Sequence, residues 1–298
     1  MSSILVLGKR GQLALSLNEI RPEYLYVGRD ELDLSRPQDI WPFLDKTQPS
    51  IIINTSAYTA VDKAESERDL AFAINAEAPK KLAQWSALND ALLIHFSTDY
   101  VFDGSLQRPY KENDSVAPLN VYGESKLAGE EAIQMTSGPH YIFRTSWIFS
   151  HFGQNFLKTM LRLASEREVI SVVGDQVGRP TQALELARKI VQLVDEEKEV
   201  KIKRNGRERG LYHLAGPEVM SWFDFAQRIF AQARAVGWDL KLKECKQIKT
   251  EEYPTPAERP LYSVLDCAKA QSHLHLSLEN LDASILDSVR RWHASSRI

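Results

Sequence analysis

The apolar positions of this chain fall first in short unbroken runs and later in helical spacing. Ile4-Leu5-Val6-Leu7 has no polar alternation, as expected of a parallel strand covered on both faces. Similar runs recur at residues 24–27, 51–54, 91–96 and 141–145. Between them, helical patterns lie before Ile20, over 37–46, over 69–89 and from 119 to 131. Strand and helix alternate in this way through about residue 150, which predicts an α/β fold with a doubly wound, Rossmann-like parallel sheet.

The rhythm then changes. A helix is predicted over 155–166, a strand over 169–173, a loop over 174–181 and an amphipathic helix over 183–194. Residues 198–209 are polar and basic, which predicts a surface loop turning at Asn205-Gly206. Tyr212-His-Leu214 is suited to one more strand of the sheet, and from Trp222 the chain returns to helices and proline-rich connections. The expected organisation is a dinucleotide-binding domain over 1–150, to which 182–215 returns. Residues 151–181 and 216–298 form a smaller substrate-binding lobe over the ligand edge of the sheet.

Composition narrows the class without naming it. The 298 residues are 43% hydrophobic and 26% charged, as in an ordinary soluble globular protein, with enough chain for a large core. A net charge of -3 gives no global pull toward nucleic acid or a membrane surface. No apolar run approaches the ~18 residues of a spanning helix and no signal peptide is legible, so a cytoplasmic location is expected. Cys245 and Cys267 fit no zinc or redox spacing and read as two buried thiols. His273-x-His275 has no further ligands nearby in sequence, so no metal site is expected.

The first strand runs into Gly8-Lys-Arg-Gly11-Gln-Leu-Ala14. Strand, glycine turn and helix form the opening of a dinucleotide-binding unit, in which Gly8 and Gly11 let the backbone approach a pyrophosphate at the helix N-terminus. Ala14 stands where a third glycine is usual, and a tight turn without a ligand is the bland alternative. The second strand ends in Gly28-Arg29-Asp30. An acidic residue there holds ribose hydroxyls, whereas an arginine accommodates a 2′-phosphate. Arg29 therefore points to NADPH, while Asp30 keeps NADH open. Asp33 and Leu34, in the turn that follows, are placed with the same cofactor.

Tyr122 and Lys126 stand four residues apart on one helix face. A phenol titrates near ~10, and a neighbouring ammonium lowers that value at about 1.4 kcal/mol per unit. Such a pair can hand a proton to an alkoxide forming on a carbonyl carbon. Ser97-Thr98-Asp99 ends the fourth strand, at the edge where open α/β sheets bind ligands. The Thr98 hydroxyl would hold the carbonyl oxygen beside the phenol, the alternative being a strand-end cap.

These residues resemble the extended short-chain dehydrogenase/reductases. Longer strings are similar to the dTDP-4-dehydrorhamnose reductases within them: Val61-Asp-Lys-Ala-Glu65, Ser97-Thr-Asp-Tyr-Val-Phe102, Pro118-Leu-Asn-Val-Tyr-Gly123, Phe143-Arg-Thr-Ser-Trp147, Asn155-Phe156, Asp175-Gln176, Pro180-Thr181, and Tyr253-Pro-Thr-Pro256 with Arg259-Pro260. The resemblance covers nearly the whole chain in order. It implies reduction of the C4 ketone of dTDP-4-dehydro-L-rhamnose by NAD(P)H. Tyr122 would be the general acid, Lys126 its partner and ribose ligand, and Thr98 the hydroxyl orienting the carbonyl. Gly11, Gln12 and Leu13 would lie along the cofactor phosphates, and Ala57, Tyr58 and Thr59 would line its path toward the nicotinamide. Thr98, Asp99 and Trp147 would touch the dTDP-sugar, with Asn155 and Arg259 as further contacts.

The chain also departs from that family. Members that dimerise through magnesium carry acidic ligands where this chain has Ser16 and Leu184, so a monomer or weak homodimer without a bridging metal is expected. Tyr58 stands where histidine is common. A dehydratase would need the usual Asp-Glu after Thr98, whereas the chain has Asp99-Tyr100, which favours simple reduction over dehydration or epimerisation. A non-catalytic NADP-binding regulatory subunit is the alternative from another class, against which the intact Thr98, Tyr122 and Lys126 argue.

Overall fold

A computed structural model describes residues 3–203 and 208–295. The first half alternates β1 (Ile4–Leu7), α1 (Gln12–Ile20), β2 (Leu25–Val27), α2 (Ile40–Thr47) and β3 (Ile51–Asn54). Two short helices, α3 (Val61–Ala64) and α4 (Arg68–Phe72), lead through one π-helical turn (Ala73–Glu77) into α5 (Ala78–Leu88). Then come β4 (Leu92–Thr98), α6 (Val121–Gln134), β5 (His140–Thr145) and the short β6 (Ile148–Phe149). The second half comprises α7 (Phe156–Glu166), β7 (Val169–Val173), β8 (Val177–Gly178), β9 (Thr181–Gln182), α8 (Ala183–Lys203), β10 (Gly210–His213) and β11 (Met220–Ser221). It closes with α9 (Trp222–Ala235), β12 (Glu244–Ile248), α10 (Ala268–Leu274) and α11 (Leu281–Ser295).

Six strands make one parallel sheet in the order β10-β5-β4-β3-β1-β2. Strand order reverses between β1 and β3, the topological switch point at which such sheets bind ligands. The unbroken apolar runs are explained by burial on both faces. Ile4 and Val6 of β1 and Leu92, Ile94 and Phe96 of β4 meet α1 and α8 on one face. Leu5, Leu7, Leu93 and Ile142 meet α2, α5 and α6 on the other. A separate core joins α7, β7, α9 and α11 in the smaller lobe.

Two expectations are corrected. The basic stretch is not a loop from residue 198, because α8 continues to Lys203. Its buried face extends past Val194 to Glu197, which accepts from the Tyr141 hydroxyl (2.7 Å) and from Arg209 (2.7 Å) and so keeps the helix facing β5. The Asn205-Gly206 turn lies outside the described residues. The C-terminal segment does not stay with the smaller lobe, since Ala270, Leu274, Leu276 and Leu278 pack into the core between the sheet and α8. Both cysteines are free; Cys267 is more deeply enclosed than Cys245, and burial pushes its thiol up to about 11. No helix among the described residues is long and apolar enough to cross a membrane.

Candidate active site

A cleft of about 790 Å³ opens at the carboxyl ends of β1, β3, β4 and β5. Among its lining residues are Gly8, Gly11, Gln12 and Leu13 from the first turn, Arg29, Asp33 and Leu34 after β2, and Ala57, Tyr58 and Thr59 after β3. Thr98, Asp99, Tyr122, Lys126, Trp147 and Asn155 line it too. Of the substrate contacts expected from the sequence, Arg259 alone stands apart. It lines a separate cavity of about 440 Å³, where Nη2 donates to both Asp62 oxygens (3.0 and 2.9 Å) and Nη1 to Ala257 O (2.9 Å). In this arrangement Arg259 faces Asp62 rather than the main cleft.

The glycine turn is shaped for a close backbone approach. Gly8 has φ +102°, and a Cβ there would stand 2.7 Å from Thr55 Oγ1. Gly11 is the N-cap of α1, without a side-chain cap and without an acidic residue in the first turn, so this helix end presents unsatisfied N–H groups to the cleft. Deeper in, the buried hydroxyls of Ser97 and Thr145 line the cleft without a hydrogen-bond partner among the described residues. Unpaired buried polar atoms are rare in folded proteins. Turn, helix end and idle donors together fit a dinucleotide.

At the end of β2 two arginines, Arg10 and Arg29, line the cleft. Asp30 does not, and its carboxylate is held by Arg10 (2.5 Å). Asp33 accepts from Arg29 (3.1 Å) and from the Ser35 hydroxyl (2.7 Å). Gln12 and Asn155 are engaged with one another. The Asn155 amide donates to Gln12 Oε1 (2.8 Å), while Asn155 Oδ1 accepts from Lys158 N as the N-cap of α7. They tie the first turn to the lobe.

The reacting groups converge from β4 and α6. Asn120 caps α6 by accepting from Gly123 N (2.8 Å), which fixes the turn carrying Tyr122. A Cβ on Gly129 would lie 2.1 Å from Asn75 O, so only glycine lets α6 rest directly on the π-helical turn. That turn serves the site, because Asn75 binds both the N–H and the carbonyl of Tyr58 (2.8 and 3.1 Å) and donates to Ser125 Oγ (3.0 Å). The Tyr58 hydroxyl itself donates to Glu67 (2.7 Å).

Burial pushes the Tyr122 phenol up to about 12, with the Thr98 hydroxyl drawing it partly back and the Asp99 charge adding to the rise. The predicted depression by Lys126 is therefore absent. The Lys126 ammonium is 1% exposed and lies against the sheet, donating to Phe96 O (2.6 Å) and standing 3.3 Å from His95 Nε2. Burial lowers it to about 8, against an opposing pull from Glu130. Thr98 caps the strand end, since Tyr100 N donates to its Oγ1 (3.2 Å), and it also lines the cleft. Asp99 is enclosed with Thr98 and Ser263, whose hydroxyl donates to Oδ2 (2.5 Å), and burial raises its carboxyl to about 7.

Trp147 lies at φ +48° with its ring stacked on Trp222, centroids 3.5 Å apart and planes at 7°. The sequence pattern did not single out His95, Asn54, Asn75, Ser263 or the stack on Trp222. A histidine inside the apolar run Leu92-Leu-Ile-His-Phe96 is the one local signal it offered. Ser16 and Leu184 are both interior, and Ser16 Oγ donates to Gln12 O (2.9 Å).

Comparison with known proteins agrees with this geometry. Residues 1–293 match the family described as the RmlD substrate binding domain. The chain is 40% identical over 291 residues to the dTDP-4-dehydrorhamnose reductase of Salmonella typhimurium, covering 95% of each chain. Among solved structures it is similar to a dTDP-4-dehydrorhamnose reductase from Clostridium acetobutylicum (34% identity, TM-score 0.87, 98% and 99% covered). It is also similar to that of Bacillus anthracis in complex with NADP (35% identity, TM-score 0.86, 99% and 100% covered). With match, cleft and acid–lysine pair in agreement, the chain belongs to the dTDP-4-dehydrorhamnose reductase family.

Proposed function

We propose that this protein reduces the C4 ketone of dTDP-4-dehydro-L-rhamnose to the alcohol of dTDP-L-rhamnose, a step of dTDP-rhamnose biosynthesis, with NADPH as the reductant. The observation that carries the reading is the placement of Tyr122, Lys126 and Thr98 in one cleft, with the phenol held in its protonated form. A reduced nicotinamide supplies the hydride when bound. The residues of the chain do the rest. Thr98 Oγ1 and Tyr122 Oη orient the ketone oxygen, and Tyr122 gives its proton to that oxygen as negative charge grows on it. Lys126 supplies N–H donors for a ribose beside the phenol. Asp99 and Trp147, whose ring stacks on Trp222, line the part of the cleft proposed for the sugar nucleotide.

Support for NADPH comes from Arg29 and Arg10 at the end of β2, together with the engagement of Asp30 by Arg10. An arginine-lined pocket suits a 2′-phosphate, whereas a free carboxylate suits the ribose diol. The Bacillus anthracis relative was solved with NADP.

The test is a panel of dTDP-, UDP- and GDP-4-keto sugars with NADPH and with NADH, monitored at the reduced nicotinamide. Turnover is expected with the dTDP sugar, and Tyr122→Phe is expected to lower kcat about 10²- to 10⁴-fold. Tight NADPH binding with no turnover on any 4-keto sugar would replace this reading with a regulatory one. Arg29→Ala is expected to raise KM for NADPH and leave that for NADH nearly unchanged. Equal use of both cofactors by the unaltered protein would remove the role given to Arg29.

A further inference from the structure

Beneath α6 the sheet stops being apolar. On the face where Leu5, Ile52, Leu93 and Ile142 form the core, Asn54 of β3 and His95 of β4 lie side by side in register. Both are 0% exposed. Asn54 Nδ2 is 3.0 Å from His95 Nδ1, and His95 Nε2 is 3.3 Å from Lys126 Nζ. A buried polar layer of this kind persists only where its members satisfy or deliberately oppose one another.

The hydrogen bonds determine which ring nitrogen carries the proton. Asn54 Oδ1 is turned to the N–H of Ser56 (3.2 Å), so its amide nitrogen faces the imidazole. His95 Nδ1 is therefore the acceptor, and in the neutral ring the proton sits on Nε2, pointing at Lys126 Nζ. An N–H directed at an ammonium opposes it, whereas directed at an amine it meets the lone pair. From this geometry we infer that His95, with its tautomer fixed by Asn54, is a positioning residue that adds to burial in favouring the amine form of Lys126.

Burial also favours the amine, but no other titratable group on α6 adds to that bias. Among the described residues Tyr122 and Glu130 are the titratable groups one turn before and one turn after Lys126 on α6, and Glu130 is committed to Arg144 of β5 in an ion pair (2.6 Å) with side chains only 1% and 3% exposed. Glu130 favours the ammonium, the opposite sense to His95. His95 is itself held well below its ordinary value by burial and then by Lys126, in agreement with a neutral ring. Phe96 O accepts from Nζ in either charge state. The inference rests on the assignment of Lys126 to the reductase site, yet its first test needs neither substrate nor cofactor.

In the unaltered protein, ¹⁵N NMR of the imidazoles between pH 6 and 10, with His95→Gln identifying the resonance, is expected to show His95 neutral throughout and protonated on Nε2. Its shift should move with a midpoint near 8 as Lys126 titrates. A proton on Nδ1, or a ring that itself titrates near 6.5, overturns the inference whatever the enzyme's substrate. The second test is His95→Gln, whose amide can turn a carbonyl oxygen to Nζ. The alkaline midpoint of kcat/KM should then rise by about one unit, a tenfold change in the ammonium-to-amine ratio. An unchanged or lower midpoint in a folded variant overturns it, while loss of turnover with every sugar in the unaltered protein counts against the reductase reading instead.

Discussion

Asp99 gives the sharpest stability test of the site. Its carboxyl is 2% exposed, with Thr98 Oγ1 at 3.2 Å from one oxygen and Ser263 Oγ at 2.5 Å from the other. Burial is the largest influence and raises it from 3.8 to about 7, with the two hydroxyls opposing the rise. A carboxyl raised on folding binds more protons in the native state than in the unfolded chain between those values. Stability is therefore full below 3.8 and falls as pH rises through 7. At about 1.4 kcal/mol per unit, the loss is about 2 kcal/mol at pH 5 and about 4 kcal/mol at pH 8. Asp99→Asn keeps the shape and cannot ionise. Relative to the unaltered protein it should gain about 2–3 kcal/mol more at pH 8 than at pH 5, taken as an upper bound. Urea unfolding of both proteins at the two pH values reads that difference directly. A stability difference independent of pH would show that Asp99 does not titrate as its burial requires. The same variant should lose activity with the sugar nucleotide, because the position faces the cleft.

Three further outcomes follow from the packing around α6 and the lobe. Gly129→Ala sets a Cβ against Asn75 O, a backbone atom that cannot swing aside, and should lower stability by about 1–3 kcal/mol in thermal unfolding while raising KM for the cofactor through Asn75 and Tyr58. Trp222→Ala removes the ring on which Trp147 stacks. The lost ring contact is worth about 0.5–1.5 kcal/mol, so KM for the sugar nucleotide should rise severalfold with a smaller change in kcat. Glu130→Leu leaves Arg144 buried and unpaired, and calorimetry should register a loss of about 3–5 kcal/mol.

Much of this fold was legible because its causes are local. The runs at 4–7, 51–54 and 91–96 lack polar alternation for the same reason that they form central parallel strands, with helices on both faces. The glycine turn and the Tyr122/Lys126 spacing were legible for a similar reason, since each is one turn of backbone. What spacing could not show was a partner brought from elsewhere. Nothing in the neighbourhood of Arg259 announced its partner Asp62, nearly two hundred residues earlier in the chain. The run of α8 past Val194 was hidden for the same reason. Glu197 reads as a solvated charge in sequence, yet its partners are Tyr141 on β5 and Arg209 beyond the helix.

The Tyr122/Lys126 pair shows the same limit in energetic form. Spacing says that an ammonium lies one turn from a phenol, and at an exposed site that would stabilise the phenolate. Burial acts on both groups at once and drives each toward its neutral state, the phenol up to about 12 and the ammonium down to about 8. The consequence is directional. Ketone reduction needs a phenol that still carries its proton, and Tyr122 carries it across the whole neutral range. Alcohol oxidation needs the phenolate, which this environment disfavours until the solution is strongly alkaline. The pair is thus tuned by desolvation for the reductive direction, and the pH at which the reverse reaction first becomes measurable should lie above that at which Lys126 loses its charge.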